Sequence, residues 1–135
     1  MLKKMRFEGA PVIVTGAGMG IGEATCDALA EMGASLILVG RTMSKLENVA
    51  GRLSKGGTNT ECYEVDVSHE EQVLEFHRKV AAKHKFIKGG VNNAGTNPVH
   101  GPVQNVDERA WDAVFNTNLK SVFFLSKMVR EAILE

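Results

Sequence analysis

A group of glycines separates a short apolar run from a helical pattern, and it limits the possible folds more than any other feature of the chain. The segment follows apolar residues 12–14 and precedes residues with helical spacing between 21 and 32. Glycines permit a tight turn and let a ligand approach the backbone, and the helix that follows offers free N–H groups to an anion. The pattern favours a pyrophosphate-binding turn; the alternative is a glycine-rich turn without a ligand. The segment reads Thr15-Gly16-Ala17-Gly18-Met19-Gly20-Ile21-Gly22.

Strand and helix patterns alternate along the rest of the chain. Short apolar runs at residues 12–14 and 36–39 are typical of buried strands, and residues 62–67 are predicted to form a third strand. A fourth strand is predicted over 87–92, and the pair Gly89-Gly90 weakens it. A helical pattern follows each run, so the order is βαβαβαβα. This order predicts an α/β fold in which right-handed crossovers join the strands of a parallel sheet.

Three polar residues are predicted to start helices. Ser44 and Ser68 each precede a glutamate by three residues, which is the capping-box pattern. Asp107 precedes the long final helix and is a typical N-cap residue. We expect these side chains to accept hydrogen bonds from the first turns of helices two, three and four.

Composition limits the classes of partner. The length of 135 residues predicts one domain, residues 1–135. Sixteen basic residues balance sixteen acidic ones, so no nucleic-acid partner is expected. No signal peptide and no apolar run long enough to span a bilayer occurs, which predicts a cytoplasmic protein without a membrane partner.

Cysteine and histidine spacing does not favour a metal site. Cys26 and Cys62 are too few for a disulfide framework and lack the spacing of zinc ligands. His77 and His84 lie seven residues apart on one predicted helix without a third ligand nearby. We therefore expect no bound metal.

The glycine spacing Thr-Gly-x-x-x-Gly-x-Gly resembles that of the short-chain dehydrogenase/reductase family. Further segments agree with the family pattern in the same order, and the resemblance extends from about Phe7 to Met128. It implies a Rossmann-like parallel sheet with strand order 3-2-1-4 that lacks the later strands of the full family fold. It also implies an NAD(P)-dependent oxidoreductase. The further segments are Asp66-Val67, Asn92-Asn93-Ala94-Gly95 and Asn116-Thr117-Asn118-Leu119-Lys120.

The resemblance implies cofactor contacts for the matched residues. Thr15 fixes the turn by hydrogen bonding, and Asp66, at the end of strand three beside Val67, accepts from the adenine amino group. For Asp66 the alternative is a purely structural role at the start of helix three. The glycine turn lines the pyrophosphate, and the segment after strand four passes the adenosine ribose; for that segment the alternative is an ordinary turn. The residues implied at the pyrophosphate are Gly16, Gly18, Met19, Gly20, Ile21 and Gly22. Those implied at the adenosine ribose are Asn93, Ala94 and Gly95.

The residues after strand two favour NADP over NAD. An acidic residue there would bind the ribose 2′-hydroxyl of NAD, whereas an arginine accommodates the 2′-phosphate of NADP. The chain has Val39-Gly40-Arg41-Thr42, so Arg41 is the candidate. Met19 occupies the position where many NADP-preferring members of the family have a second basic residue. For Arg41 the alternative is an ordinary surface arginine.

The family's catalytic residues are incomplete in this chain. The resemblance implies a proton-relay role for Asn118, which we expect to face inward because it lies between Phe115 and Val122 in an apolar stripe. The family also needs a serine and a Tyr-x-x-x-Lys pair, in which the lysine lowers the tyrosine pKa. The single tyrosine is Tyr63, and residue 67 is a valine.

We therefore expect the chain to be the cofactor-binding half of such an enzyme and inactive alone, with a small carbonyl or alcohol substrate only when the missing half is supplied. Strand four would be an open edge and helix four would expose Trp111, Phe115, Phe123 and Phe124. This predicts a homo-oligomer or another association through these elements. One alternative is a non-catalytic nucleotide-binding or interaction module that pairs with a full-length relative. Another is a non-functional truncation product.

Overall fold

The computed structural model describes residues 6–133. Strands and helices alternate, as the sequence patterns predict, and the last helix contains a π-helical turn. The strands are β1 (Pro11–Thr15), β2 (Ser35–Gly40), β3 (Thr60–Glu64) and β4 (Gly89–Val91). The helices are α1 (Gly20–Glu31), α2 (Met43–Lys55), α3 (Glu70–Lys83), α4 (Glu108–Phe115) and α5 (Ser121–Ile133), with the π-helical turn Asn116–Lys120 between α4 and α5 and a short 3₁₀ turn at Val103–Asn105.

The four strands form one parallel sheet in the order β3-β2-β1-β4, which confirms the predicted topology. In this register Ile13 of β1 lies between Ile37 of β2 and Gly90 of β4. Every residue of β1 is buried, because helices cover both faces of the sheet. Continuous apolar runs such as β1 and β2 are expected in sheets of this kind.

Alternate side chains of the sheet enter two separate cores. Val12 and Leu36 pack with the buried residues of α1 and α2 on one face. Ile13 and Ile37 pack with those of α3 and α5 on the other face. The period of two along a strand produces this division. Because all neighbouring strands pair in parallel, their carboxyl ends lie at one common edge of the sheet.

β4 is shorter than the sequence predicts. It contains three residues, Gly89–Val91, where the apolar pattern predicted a strand over 87–92. A Cβ atom on Gly90 would lie 2.8 Å from Cγ2 of Val129, so the side chain of α5 occupies the space above this glycine. Around Gly89 no heavy atom lies within 4 Å of the corresponding position. The two glycines therefore differ: Gly90 permits helix packing, and Gly89 does not need to be small.

Two of the three predicted helix caps were wrong. α2 begins at Met43, whose N–H donates to Oε2 of Glu64 at 2.8 Å, and Ser44 does not cap it. Ser68 donates its hydroxyl to Oδ1 of Asp66 instead of capping α3. Asp107 does cap α4, because its Oδ1 accepts from the Ala110 N–H at 2.8 Å. At the first two sites a carboxylate from a neighbouring loop or strand competes with the local pattern.

The last helix leaves large apolar side chains exposed along one ridge. Trp111 is 56% exposed and Phe123 is 65% exposed, and Phe115 and Leu119 are also exposed. The π-helical turn lies in the middle of this ridge. Phe124 is only partly exposed and packs against the core shared with α3.

Among the described residues, no helix has both the length and the hydropathy needed to cross a bilayer.

Candidate functional site

A cleft of about 280 Å³ opens at the carboxyl ends of the strands. β1 lies between β2 and β4, so the connections from β1 to β3 run toward one edge of the sheet and the connection to β4 runs back toward the other edge. Ligands of open parallel sheets bind at such a point. The cleft is lined by Gly16, Gly18, Met19, Gly40, Arg41, Thr42, Lys45, Leu46, Val65, Asp66, Val67, Asn93, Ala94, Gly95 and Thr117.

The glycine turn is closed by contacts that leave no room for side chains at two positions. A Cβ on Gly22 would lie 2.0 Å from the Gly16 carbonyl oxygen and 2.6 Å from Nδ2 of Asn93. Gly16 has a φ of 64°, and a Cβ on it would lie 2.8 Å from the same amide nitrogen. The chain therefore folds back on itself between β1 and α1, and backbone borders the cleft at this point.

Thr15 joins the end of β1 to the segment after β4. Its buried Oγ1 accepts from the N–H groups of Asn93 and Ala94 at 3.1 and 3.0 Å and donates to the Val91 carbonyl at 3.3 Å. In return, Nδ2 of Asn93 donates to the carbonyl oxygens of Thr15 at 3.0 Å and Gly16 at 3.3 Å. These bonds fix the two walls of the cleft relative to each other.

The charged groups of the cleft come from the ends of β2 and β3. Arg41 follows β2 and is exposed. Asp66 accepts from both the N–H and the hydroxyl of Ser68, at 3.0 and 2.7 Å. Burial opposes ionisation of Asp66, but the bonds from Ser68 and the nearby His69 and Arg41 outweigh it, so its pKa lies below the ordinary value. Asp66 is therefore an anionic hydrogen-bond acceptor at the wall of the cleft.

Asn118 lies beside the cleft but does not line it. The sequence pattern predicted that it faces inward, and this was wrong because the residue is exposed. The π-helical turn changes the helical period at this position. Both polar atoms of the Asn118 side chain bind Thr96: Oδ1 accepts from the Thr96 N–H at 2.7 Å, and Nδ2 donates to the Thr96 carbonyl at 2.9 Å.

Nine of the predicted cofactor residues line the cleft and four do not. Thr15, Gly20, Ile21 and Gly22 lie outside the lining, where Thr15 and Gly22 shape the turn and the side chain of Ile21 is 78% exposed. Sequence reasoning missed Lys45, although it follows Arg41 by only four positions. The other missed residues are Gly40, Thr42, Leu46, Val65 and Thr117.

The single tyrosine does not belong to this cleft. Tyr63 donates its hydroxyl to Oε2 of Glu61 at 2.8 Å, and the ammonium group of Lys83 lies 5.6 Å from the ring centre. Burial and the bond to Glu61 raise the pKa of Tyr63. A catalytic tyrosine needs the opposite shift of its pKa.

Within residues 6–133, no group of three or more His, Cys, Asp or Glu side chains is placed to hold a metal ion.

Comparison with known proteins agrees with this geometry. The short chain dehydrogenase family model matches residues 10–135. The chain is 34% identical to 3-oxoacyl-(acyl-carrier-protein) reductase of Thermotoga maritima over 125 residues, which are 93% of this chain and 50% of the relative. It is also 34% identical to 2-dehydro-3-deoxy-D-gluconate 5-dehydrogenase of Pseudoalteromonas atlantica over 130 residues, covering 96% and 51%.

Solved structures share the fold. A metagenomic short-chain oxidoreductase in complex with NADP superimposes with a TM-score of 0.88 at 33% identity, over 93% of this chain and 57% of the other. L-sorbose reductase of Gluconobacter frateurii, complexed with NADPH and L-sorbose, gives a TM-score of 0.89 at 25% identity, over 96% and 49%. The chain spans about half the length of the curated relatives it matches. It belongs to the short-chain dehydrogenase family.

Proposed function

We propose that the chain is the cofactor-binding half of an NADP-dependent short-chain oxidoreductase. The observation that carries this proposal is the cleft itself, since one wall is a glycine turn and the others carry Arg41 and Asp66. A turn in which Gly22 and Gly16 lack space for Cβ atoms lets a pyrophosphate reach the backbone. The residues present therefore fit a dinucleotide.

Each wall of the cleft has its own part in binding. The glycine turn would hold the pyrophosphate, Asp66 would accept from the adenine amino group, and Arg41 would bind the ribose 2′-phosphate. Ala94 and Gly95 would border the adenosine ribose. A nicotinamide coenzyme supplies the hydride for reduction of a carbonyl group, or accepts it in the oxidation of an alcohol.

The charge after β2 favours NADP over NAD. Residues 39–45 contain Arg41 and Lys45 and no carboxylate, so this segment offers two cations to a phosphate on the ribose. An acidic residue, which would bind the 2′-hydroxyl of NAD, is absent from this stretch. Two structures with the same fold contain NADP or NADPH, which supports this coenzyme for the present chain.

We propose that these 135 residues do not catalyse turnover alone. No Tyr-x-x-x-Lys sequence occurs among them, and Tyr63 lies outside the cleft. A small carbonyl or alcohol substrate would react only when the other half of the site is supplied. In that complete site Asn118 would contribute to a proton relay.

Calorimetric titration of the chain with NADP and NAD tests the coenzyme. We expect saturable binding of both, with NADP the tighter ligand. Tighter binding of NAD would contradict the NADP proposal, and absence of binding by either dinucleotide would contradict a cofactor role. Measured carbonyl reduction by the pure chain would contradict its inactivity.

The exposed ridge of the last helix favours a second role, in association. Trp111, Phe115, Leu119 and Phe123 recur every four residues, and the Trp111 and Phe115 rings stack with centres 4.5 Å apart. Ridges with this spacing can pack against the same ridge of a second copy, and β4 has one unpaired edge in the described sheet. We propose a homodimer through this ridge.

Light scattering measures the mass of the particle directly. The double variant Trp111→Glu and Phe123→Glu should be monomeric at concentrations where the parent chain is dimeric. A monomeric parent chain would contradict the association. A dimer that binds neither dinucleotide would instead favour a non-catalytic interaction module.

A further inference from the structure

The side chain of Lys45 reaches across the cleft to the glycine turn. Lys45 is the third residue of α2 and follows Arg41 by four positions. It lines the cleft, and its ammonium nitrogen lies 3.6 Å from the sulfur of Met19. A thioether is only a weak acceptor, so this contact locates the ammonium group without neutralising its charge.

The placement of Lys45 depends on the absence of side chains at two glycines. A Cβ on Gly18 would lie 3.0 Å from Cβ of Lys45. A Cβ on Gly40 would lie 3.1 Å from Cδ2 of Leu46. These two glycines therefore let the first turn of α2 pack against the mouth of the cleft. Gly18 makes room for the lysine stem, which gives it a role apart from direct contact with a ligand.

The positive charges at this mouth form no close ion pair within the described residues, although Arg41 lies near enough to Asp66 to help lower the pKa of that carboxyl group. Neither Arg41 nor Lys45 forms an ion pair among residues 6–133, whereas Arg52, farther along α2, pairs with Glu23 and Asp27. Asp66 is the one acidic residue in the lining, and its Oδ1 already accepts two bonds from Ser68. An anion that enters between Arg41 and Lys45 would therefore displace no existing ion pair in this part of the chain.

We propose that Lys45 binds the 2′-phosphate of NADP together with Arg41 and is a specificity-determining residue for the coenzyme. This inference rests on the proposed function. A phosphate monoester carries between one and two negative charges near neutral pH, which two cations match. Arg41 can offer a planar pair of donors, and Lys45 a mobile point charge from the first turn of α2.

Titrations of two matched variants test the inference. Lys45→Met removes the charge and keeps an unbranched apolar stem beside Gly18. Lys55→Met makes the same change at the other end of α2 and serves as the control. The ligands are NADP and NAD, together with adenosine 2′,5′-bisphosphate and adenosine 5′-monophosphate, which lack the nicotinamide half.

The expected result is selective. Lys45→Met should weaken binding of NADP and of the bisphosphate about tenfold, leave NAD and the monophosphate unchanged, and reduce the salt dependence of NADP binding. Lys55→Met should change none of these values. Equal weakening of NADP and NAD, or no weakening at all, would overturn the role of Lys45.

The two small nucleotides separate this inference from the proposed function. If the chain binds the bisphosphate through Lys45 but binds neither dinucleotide, the phosphate site stands and the cofactor role is wrong. If the chain prefers NADP and Lys45→Met keeps that preference, the cofactor role stands and the inference is wrong. If no phosphate-bearing ligand binds, both are wrong.

Discussion

Asn118 and Thr96 are joined by a pair of hydrogen bonds that uses both polar atoms of the asparagine amide. Its Oδ1 accepts from the Thr96 N–H at 2.7 Å, and its Nδ2 donates to the Thr96 carbonyl at 2.9 Å. A Cβ on Gly95 would lie 3.5 Å from the same Oδ1. The π-helical turn thereby holds the segment after β4 beside the cleft.

Asn118→Ala should release that segment. Because an unpaired Thr96 N–H exchanges with solvent, we expect its amide hydrogen exchange to accelerate at least about tenfold, with a loss of about 1 kcal/mol in the free energy of unfolding. Asn116→Ala is the control, since the Asn116 side chain makes no hydrogen bond among the described residues. Unchanged exchange at Thr96 in Asn118→Ala would show that the amide pair does not order this segment.

Thr15→Val should destabilise the connection between β1 and β4. The substitution keeps the shape of the side chain and removes the hydroxyl that accepts from Asn93 and Ala94. Since the site is buried, the loss should be about 2 kcal/mol in the free energy of unfolding, measured by urea denaturation. Thr15→Ser retains the hydroxyl and should lose less. Equal stability of the two variants would argue against the hydroxyl as the cause.

Gly22→Ala should prevent the glycine turn from closing. The new Cβ would lie 2.0 Å from the Gly16 carbonyl oxygen, which is backbone and cannot rotate away. We expect a loss of about 3 kcal/mol in thermal or urea unfolding. Gly51→Ala is the matched control, because Gly51 lies in α2 with no atom within 4 Å of its Cβ position. That change should raise stability by about 0.5–1 kcal/mol.

Gly90 and Val129 should be energetically coupled. Gly90→Ala alone should cost about 1–3 kcal/mol, because the new methyl group meets Val129 at 2.8 Å. Adding Val129→Ala opens the space, so the double variant should be more stable than the sum of the single changes predicts. A double-mutant cycle measures this difference. Gly89→Ala, which meets no atom, should be tolerated; additive changes at Gly90 and Val129 would mean that they do not compete for space.

Glu61 should make stability depend on pH. Burial opposes its ionisation, but hydrogen bonds from Tyr63, Lys83 and His84 outweigh it, so the pKa of Glu61 lies below its ordinary value of 4.5. A carboxyl group with a lowered pKa in the folded state stabilises the fold above the unfolded-state pKa. This contribution is lost as the pH falls through the folded-state pKa.

Glu61→Gln is the variant that tests this dependence. It should be less stable than the parent chain by about 1 kcal/mol at pH 7, a modest value because the carboxylate is partly screened by solvent. The difference should shrink as the pH falls below 4.5. Urea denaturation between pH 3 and pH 7 measures it. Glu47→Gln on α2 is an exposed control; a Glu61→Gln difference that does not change with pH would exclude the carboxylate charge as its source.

Local patterns were sufficient to predict the order of elements and the position of the glycine turn. Apolar runs, helical spacing and the glycine turn depend on neighbouring residues, so they can be read along the chain. The resemblance to the short-chain dehydrogenase/reductase family, which rests on the glycine spacing and three further segments, implied the family and the strand order, and both were confirmed. Asp107 as the N-cap of α4 is a contact of the same local kind.

Predictions that depend on distant residues were less successful. Ser44 does not cap α2, because the helix begins one residue earlier at Met43, whose N–H donates to Glu64 from the end of β3. Asn118 is exposed, since the π-helical turn changes the face on which it lies. In both cases the sequence pattern was present, and a tertiary contact or a change in helical period altered its result.

The sequence by itself determined a parallel α/β sheet with a glycine turn at the end of its first strand, because burial and backbone freedom are encoded in the order of residue types. Only the tertiary structure decided which distant groups meet. It placed Val129 in the space above Gly90 and the Lys45 stem beside Gly18. These contacts join residues from separate elements, and their existence depends on how closely the helices approach the sheet.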